Sequence, residues 1–415
     1  MKKKHPNISV TGLGAITPLG NSVNTFWNNL INGKSGVTPI TRFDTSQLKC
    51  GFAAQIKDFD PLAYMDRKTV RDFDEFVKFA VAAAGQALEE SKILEHVAAE
   101  RIGICFGNCV GGMEALIEAQ TELSLNGAAR VSPKFIFRWI PNIAANQIAT
   151  QYKLRGPSLT VSTACASSND AIGRAVKMLR DGEVDAVLAG GSEHLTLPIT
   201  MAGLGNAHAI STHNEDPAKA SRPFDKNRDG FVIGEGSAFA VLERREQAEK
   251  RGAKIYCNIV GYANNAEGYS PTSPAPDGRG EILAMKRALE DAGLQPEEID
   301  YVNAHATSTI VGDVVETLAI HKVFGDHADR LAVSSIKGAV GHMIGASGAI
   351  EFVAIAKAFE ENILPPTINY DTPDPECDLD YIPNKARKQT LNAALSNAFG
   401  FGGQNACLVF KRNPS

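Results

Sequence analysis

Val161-Ser162-Thr163-Ala164-Cys165-Ala166-Ser167-Ser168-Asn169-Asp170 joins two different periodicities. Leu159 to Ser162 has the apolar and β-branched character of a strand, whereas Ile172, Val176 and Leu179 recur at the spacing of a helical stripe. Arg174, Lys177 and Arg180 lie toward the far end of that stripe, and Asp181-Gly182 stops it. The helix therefore starts near Cys165. The first N–H groups of a helix lack partners and carry the positive end of its dipole, a field that favours thiolate and predicts a lowered pKa. A sharp strand-to-helix turn also exposes a nucleophile, as in serine hydrolases. The competing reading is a small buried hydrophobe, the usual state of a free cysteine.

Moving outward, strand-like runs occupy Ile8-Val10, Arg101-Phe106, Ala186-Ala189, Ala238-Leu242, Ile255-Val260, Tyr301-Asn303, Leu331-Ser334, Ala394-Leu395 and Ala406-Phe410. Helical periodicity covers Thr69-Leu88, Asn169-Leu179, Glu281-Asp291, Val314-Val323 and Ala349-Glu360. Such alternation predicts an α/β fold with mixed or parallel sheets covered by helices. A faint duplication accompanies it: Val161-Ser162-Thr163 matches Val333-Ser334-Ser335, and Asn7-Gly12 matches Ile255-Gly261. The boundary would fall near residue 254, after the charged run Glu243-Arg251. A chance coincidence of small residues explains the match equally well.

The 415 residues, 44% hydrophobic, suffice for one large or two ordinary domains. A net charge of -5 gives no pull toward nucleic acid or anionic membrane. Seven cysteines without CxxC or zinc-type spacing read as reduced thiols. The start, MKKKHPNISVTGLGAITPLG, has a basic head, but Gly and Pro interrupt the apolar run that a signal peptide needs. No segment approaches the ~20 apolar residues of a membrane span. A cytoplasmic protein is expected.

Two further junctions carry chemistry. Tyr301-Val302-Asn303-Ala304-His305-Ala306-Thr307-Ser308-Thr309 ends a strand on a histidine, and Ser334-Ser335-Ile336-Lys337 leads to Gly341-His342-Met343 in a glycine-rich loop. Either histidine alone would be an ordinary surface group. Three strand ends bearing Cys, His and Lys/His suggest one crevice, where α/β folds gather such ends. Gly12-Leu13-Gly14 lacks the third glycine of a dinucleotide fingerprint, which would fall at Thr17, so tight strand-to-loop packing is the better account. Asp225 to Gly230 imitates the start of a calcium loop, but its twelfth position is Gly236 and its acid, Glu235, comes one residue early. Arg67, Lys68 and Arg71, with Arg130 and Lys134, form either a docking patch for an acidic partner or scattered surface charge.

At these junctions the sequence resembles the β-ketoacyl-acyl carrier protein synthases of the II type. The segments that carry the resemblance are VTGLGAITPLG, LRGPSLTVSTACASS, AGGSE, STHNEDPAKASRPFDKNRDGFVIGEG, YVNAHATST, SSIKGAVGHMIGASGAIE, LPPTINYDTPDPECDLDY and SNAFGFGGQNA. The resemblance implies a thiolase-like fold with a duplicated five-layered αβαβα core, its halves at 5–254 and 255–412. Position by position, Cys165 matches the acyl-accepting nucleophile, His305 and His342 the pair that serves malonyl decarboxylation, Lys337 a lysine beside them, and Glu351 a buried supporting acid. Phe401, with Phe399 nearby, matches a gating phenylalanine whose N–H joins that of Cys165 in an oxyanion hole. Thr307 and Thr309 match contacts to the pantetheine arm, and Val110 the far end of the acyl pocket. Lys337 reads equally as a structural partner of Glu351.

The resemblance further implies no bound cofactor and no metal, substrates carried on the phosphopantetheine of acyl carrier protein, and a homodimer. Departures occur at Ala306 and Ile310, at Asn108-Cys109-Val110 and in Phe135 to Trp139. Ser334 to Lys337 and the DPECDLDY run also resemble the catalytic ketosynthase of type II polyketide systems, which forms a heterodimer with a chain-length factor. A thiolase would need a second cysteine in the loop that holds Phe399 and Phe401, and a non-catalytic subunit would lack Cys165.

Overall fold

The structure, a computed structural model, describes residues 6–413. The basic head at 1–5, which includes the first residue of the expected first half, lies outside the described residues. Ten strands form the main sheet: β1 (Ile8–Ile16), β2 (Ile102–Gly107), β3 (Ser158–Val161), β4 (Ala186–Glu193), β5 (Gly236–Arg244), β6 (Asn258–Ala266), β7 (Tyr301–Asn303), β8 (Ala332–Ser334), β9 (Ala393–Gly400) and β10 (Gln404–Lys411). Their spatial order is 8-7-9-10-6-1-5-4-2-3. Split between β6 and β1, this reads 3-2-4-5-1 and 8-7-9-10-6, the same order with five added to each number.

Strand directions repeat as well. The β2–β3 and β2–β4 pairs are parallel and β4–β5 and β5–β1 antiparallel, as are their counterparts in the second half. The duplication that the sequence left as an even choice is therefore present at the level of topology. Only Ile8↔Ile259 and Ser9↔Asn258 pair across the junction, so the two half-sheets are joined by one short antiparallel contact.

Six helices cover these half-sheets: α1 (Glu75–Ser91), α2 (Ile143–Tyr152), α3 (Ser167–Arg180), α4 (Arg279–Ala292), α5 (Ile310–Phe324) and α6 (Ser347–Glu361). α1 and α2 pack outside the first half-sheet, and α4 and α5 outside the second, while α3 and α6 touch each other and strands of both halves. The result is the five-layered αβαβα arrangement. A strand buried on both faces must be apolar at successive positions, which is why these strands read as continuous apolar runs. On β4, Leu188 points to the outer core with Phe76 and Ala80, while Val187 and Ala189 point to the central core with Ile172, Val176 and Ile350.

Two expectations change on inspection. The run Thr69-Leu88 is not one helix: a short helix, Arg67–Asp72, ends before Phe73, whose backbone is extended, and α1 restarts after Asp74. Asp74 makes no cap bond to α1, because its Oδ2 accepts the N–H of Ala115 at 3.2 Å instead. Gly12 and Gly14 lie inside β1 and serve strand-to-helix rather than strand-to-loop packing. A Cβ on Gly12 would stand 2.3 Å from the Ala87 carbonyl oxygen of α1, and one on Gly14 only 1.9 Å from that of Ala83. Gly14→Ala must push a helix backbone off the sheet, and a loss of about 1–3 kcal/mol is expected from such overpacking. Urea unfolding read by circular dichroism checks it; an unchanged midpoint would refute the packing argument.

Among the described residues, no helix is long and apolar enough to cross a membrane.

Candidate active site

The turn after β3 bends sharply. Ala164 adopts φ +50°, a left-handed conformation that costs a residue with a Cβ. Side chains hold it there: the Thr163 N–H donates to Ser167 Oγ at 2.9 Å, and the Ser167 hydroxyl donates to the Ala164 carbonyl at 2.6 Å. Asp170 accepts from the Thr163 hydroxyl and from Tyr262 of β6, both at 2.7 Å, so the second half braces the turn. Cys165, two residues before the start of α3, is consequently aimed inward and is 5% exposed.

Both histidines arrive from the second half. His305 follows β7, where Glu316 of α5 accepts the backbone N–H groups of His305 at 2.9 Å and of Ala306 at 2.7 Å. Asn397 holds that carboxylate from the other side at 2.9 Å. His342 lies in a loop between Lys337–Val340 and α6, with its N–H bonded to the Val232 carbonyl at 2.7 Å. Its Nε2 stands 3.0 Å from Cys165 Sγ and its Nδ1 2.9 Å from Ser347 Oγ. The Ser347 hydroxyl can give its proton to Nδ1, which places the ring proton on Nε2, facing the sulfur. The imidazoles meet edge to face with centroids 5.4 Å apart. One heteroatom each of Cys165, His305 and His342 falls within 4.8 Å of the others, close enough for one thioester to touch all three.

Lys337 is fully buried and bonded to Glu351 on α6. Burial pushes the Glu351 carboxyl up to about 7, with Lys337 acting against that shift. Burial, with the charge of Lys337 adding to it, holds both imidazoles well below the ordinary histidine range, so they are neutral donors. For Cys165 the expectation of a lowered pKa fails: burial pushes the thiol up to about 11. The N–H of Phe401 and the charge of Lys337 work in the other direction but are outweighed. Loss of water around an enclosed sulfur is the largest influence on it, so a thiolate here needs its hydrogen-bond donors in place.

This electrostatics has a pH consequence. The unfolded chain protonates its histidines near pH ~6.5, while the folded chain does not until well below that. In that window the unfolded state binds more protons, so the histidine contribution to stability rises with pH and is lost on acidification, by up to about 1.4 kcal/mol per pH unit per ring. The stability difference between the wild type and His342→Asn, which cannot titrate there, is expected to shift against the wild type from about pH 7 to about pH 5. A difference that stays constant would mean that His342 titrates in the fold as it does in the unfolded chain.

The three reactive groups open into a cavity of about 560 Å³, whose lining includes Thr307, Thr309, Phe399 and Phe401. The two threonine hydroxyls lie 3.3 Å apart, and Phe401 is 45% exposed at the mouth. Lys337 and Glu351 do not line the cavity. Val110 does not line it either: it is half-buried, in a loop pinned by the Glu193 carboxylate through the N–H of Cys109 at 2.7 Å. Arg67, Lys68, Arg71 and Arg130 are exposed and outside it. Arg71 and Lys134 both bond to Asp72, at 2.9 and 2.8 Å, which joins the two basic segments and offsets part of their charge.

The sequence reading missed Glu316, Ser347 and the Asp170–Tyr262 pair. Glu316 did leave a signal, since an acid inside the apolar run Val314 to Ile320 asks for a buried partner.

Comparison with known proteins agrees with this geometry. Residues 5–248 match "Beta-ketoacyl synthase, N-terminal domain" and residues 256–371 match "Beta-ketoacyl synthase, C-terminal domain". The chain is 47% identical to a 3-oxoacyl-[acyl-carrier-protein] synthase 2 of Synechocystis over 406 residues, 98% of each protein. Among solved structures, a β-ketoacyl synthase from Burkholderia phymatum superposes with a TM-score of 0.92 at 36% identity, covering 99% of this chain and all of that one. A type II polyketide ketosynthase, solved in complex with its acyl-carrier protein, gives 0.92 at 32% identity and the same coverage. On the strength of both domain matches and the shared architecture, the chain belongs to the β-ketoacyl synthase family.

Proposed function

We propose that this protein is a 3-oxoacyl-[acyl-carrier-protein] synthase that elongates fatty acyl chains by decarboxylative Claisen condensation. The observation that carries the reading is the Cys165 sulfur in one cavity with two neutral imidazoles. The acyl group passes from its carrier thioester to Cys165, releasing the carrier thiol. Backbone N–H groups of Cys165 and Phe401 receive the oxyanion of the tetrahedral intermediate, an effect worth roughly 10²–10³ in rate per donor in hydrolases. Malonyl-carrier then loses CO2, and His305 and His342 donate to the enolate oxygen that results. The enolate carbon attacks the acyl-Cys carbonyl, the C–S bond breaks, and 3-oxoacyl-carrier leaves with the Cys165 thiolate restored. Electrons balance within the two thioesters, so the reaction requires no redox cofactor or metal.

Thr307 and Thr309 would guide the pantetheine arm, and Phe399 and Phe401 would gate the cavity. Lys337 and Glu351 would set the field behind the histidines. Arg67, Lys68, Arg71 and Arg130, all exposed, would receive an acidic carrier protein. The halves 5–254 and 255–412 would be the two structural units. A homodimer is supported by β3, an edge strand with Leu159 exposed, and by the exposed apolar residues Leu116, Leu123, Leu125, Ile136 and Phe137. The cytosol is the compartment consistent with seven free thiols. The polyketide alternative, paired with a chain-length factor, is not favoured: identity is 47% to the 3-oxoacyl-[acyl-carrier-protein] synthase 2 of Synechocystis against 32% to the polyketide ketosynthase.

Incubation with acyl-carrier protein is expected to add one acyl mass to the intact chain, at Cys165 on peptide mapping. A protein that stays unmodified would instead be a non-catalytic subunit.

A further inference from the structure

Outside the condensing cavity a second group of side chains collects around His194, the residue after β4. His194 is 3% exposed, and its Nδ1 is buried without a hydrogen-bond partner. Asp74 Oδ1 stands 3.8 Å from that nitrogen and Glu114 Oε2 3.9 Å, too far for either to accept a hydrogen bond. One ligand atom from each of the three residues nevertheless lies within 4.8 Å of the other two. Glu114 is the most exposed of them, its side chain 44% accessible, and borders a groove of about 480 Å³ that also touches Glu118, Glu122 and Leu197. That groove gives an ion a route inward.

Charge balance points the same way. On the Nε2 side of the ring stand Arg42, at 3.3 Å, and Glu235, at 3.6 Å, and these two are bonded to each other. The neighbouring Glu75 and Glu118 are answered by Lys78 at 2.6 Å and Arg138 at 2.7 Å. Among the described residues, the guanidinium in contact with this set is that of Arg42, which bonds Glu235 and the His194 ring, while Asp74 and Glu114 face the histidine alone. With all three carboxylates ionised, a neutral imidazole leaves two negative charges uncompensated, and an imidazolium leaves one. A divalent cation beside a neutral imidazole cancels the set.

One imidazole nitrogen with two carboxylates suits zinc and similar divalent transition metals. With bonds of about 2.0–2.2 Å, two ligand atoms of a tetrahedral ion stand about 3.4 Å apart, so Asp74 and His194 must draw together by a few tenths of an ångström and the partly exposed Glu114 must turn inward to complete three contacts. Such an ion would tie three separate segments together. Asp74 precedes α1, Glu114 lies in the first turn of the helix Met113–Asn126, and His194 follows the inner strand β4. Adjacent Glu193 holds the Asn108-Cys109 loop, so the clamp would sit against the segment leading to Val110.

We propose that Asp74, Glu114 and His194 form a structural binding site for a divalent transition-metal ion of the zinc class, separate from the condensing centre. The test uses the full chain carrying Cys165→Ala, because Cys165, His305 and His342 also bring ligand atoms together and would compete for the ion. After chelator treatment and gel filtration with zinc chloride, one zinc per chain and a raised melting temperature are expected. His194→Gln should weaken zinc binding at least about tenfold and remove the thermal shift. Because His194 is buried, Glu114→Gln serves as the second variant: partly exposed, it should fold normally and also lose at least about tenfold in affinity. Chains that emerge free of zinc, or a Glu114→Gln variant that binds as tightly as its parent, would overturn the site.

Discussion

Cys165→Gln is expected to abolish condensation, by roughly 10⁴-fold or more, while malonyl-carrier continues to lose CO2 at a measurable rate. The two activities separate because the structure places them on different groups. Acyl transfer needs the sulfur as covalent acceptor, and among the described residues no other thiol lines the cavity. Decarboxylation needs donors for the enolate oxygen, and these are imidazoles held neutral by burial and by Lys337, neither of which depends on the thiol. The carboxamide is neutral and fits a site already shaped for hydrogen bonding. Labelled CO2 release measured alongside 3-oxoacyl product decides the matter. Loss of both in a folded variant would mean that the sulfur and the imidazoles do not have separate tasks.

Lys337→Met is expected to change both stability and the pH dependence of decarboxylation. Lys337 and Glu351 are each 1% exposed, and removing one partner of such a pair typically costs about 3–5 kcal/mol because the other is left buried without compensation. Glu351, already at about 7 with the ammonium beside it, would rise further and be neutral in the fold. The folded variant then holds a proton that the unfolded chain releases above its ordinary carboxyl range, so the variant should lose stability as pH rises. On the catalytic side, loss of the positive charge lets both imidazoles protonate more readily, which moves the acid limb of CO2 release upward in pH. Lys337→Arg keeps the charge and should keep the limb in place. An acid limb that does not move in Lys337→Met would leave the lysine as only a structural partner of Glu351, the other reading its sequence setting allowed.

The fold was largely legible from local pattern. Ten strand-like runs became ten strands, because a strand covered on both faces has to be apolar at every position and such runs stand out. Their edges were less visible. β1 continues through Gly12 and Gly14, which look like loop residues until α1 is seen lying against them. The break at Phe73-Asp74 was hidden for a related reason: the carboxylate that ends the helical run is drawn off by the N–H of Ala115, forty-one residues away.

What the sequence determined by itself was the alternation of strands and helices, the elbow at Cys165, and the two histidine-bearing strand ends, since each depends on neighbours within a few positions. Resemblance to a family then supplied the roles. Only the tertiary structure decided that Sγ and Nε2 stand 3.0 Å apart across 177 residues, that Glu316 holds the His305 backbone and Ser347 the His342 ring, and that the thiol is pushed up rather than down. Those outcomes depend on enclosure and on contacts between the halves. A local sequence window can reveal a helix terminus but not how much water remains around it, and here burial outweighs the N–H donors and the Lys337 charge that favour the thiolate.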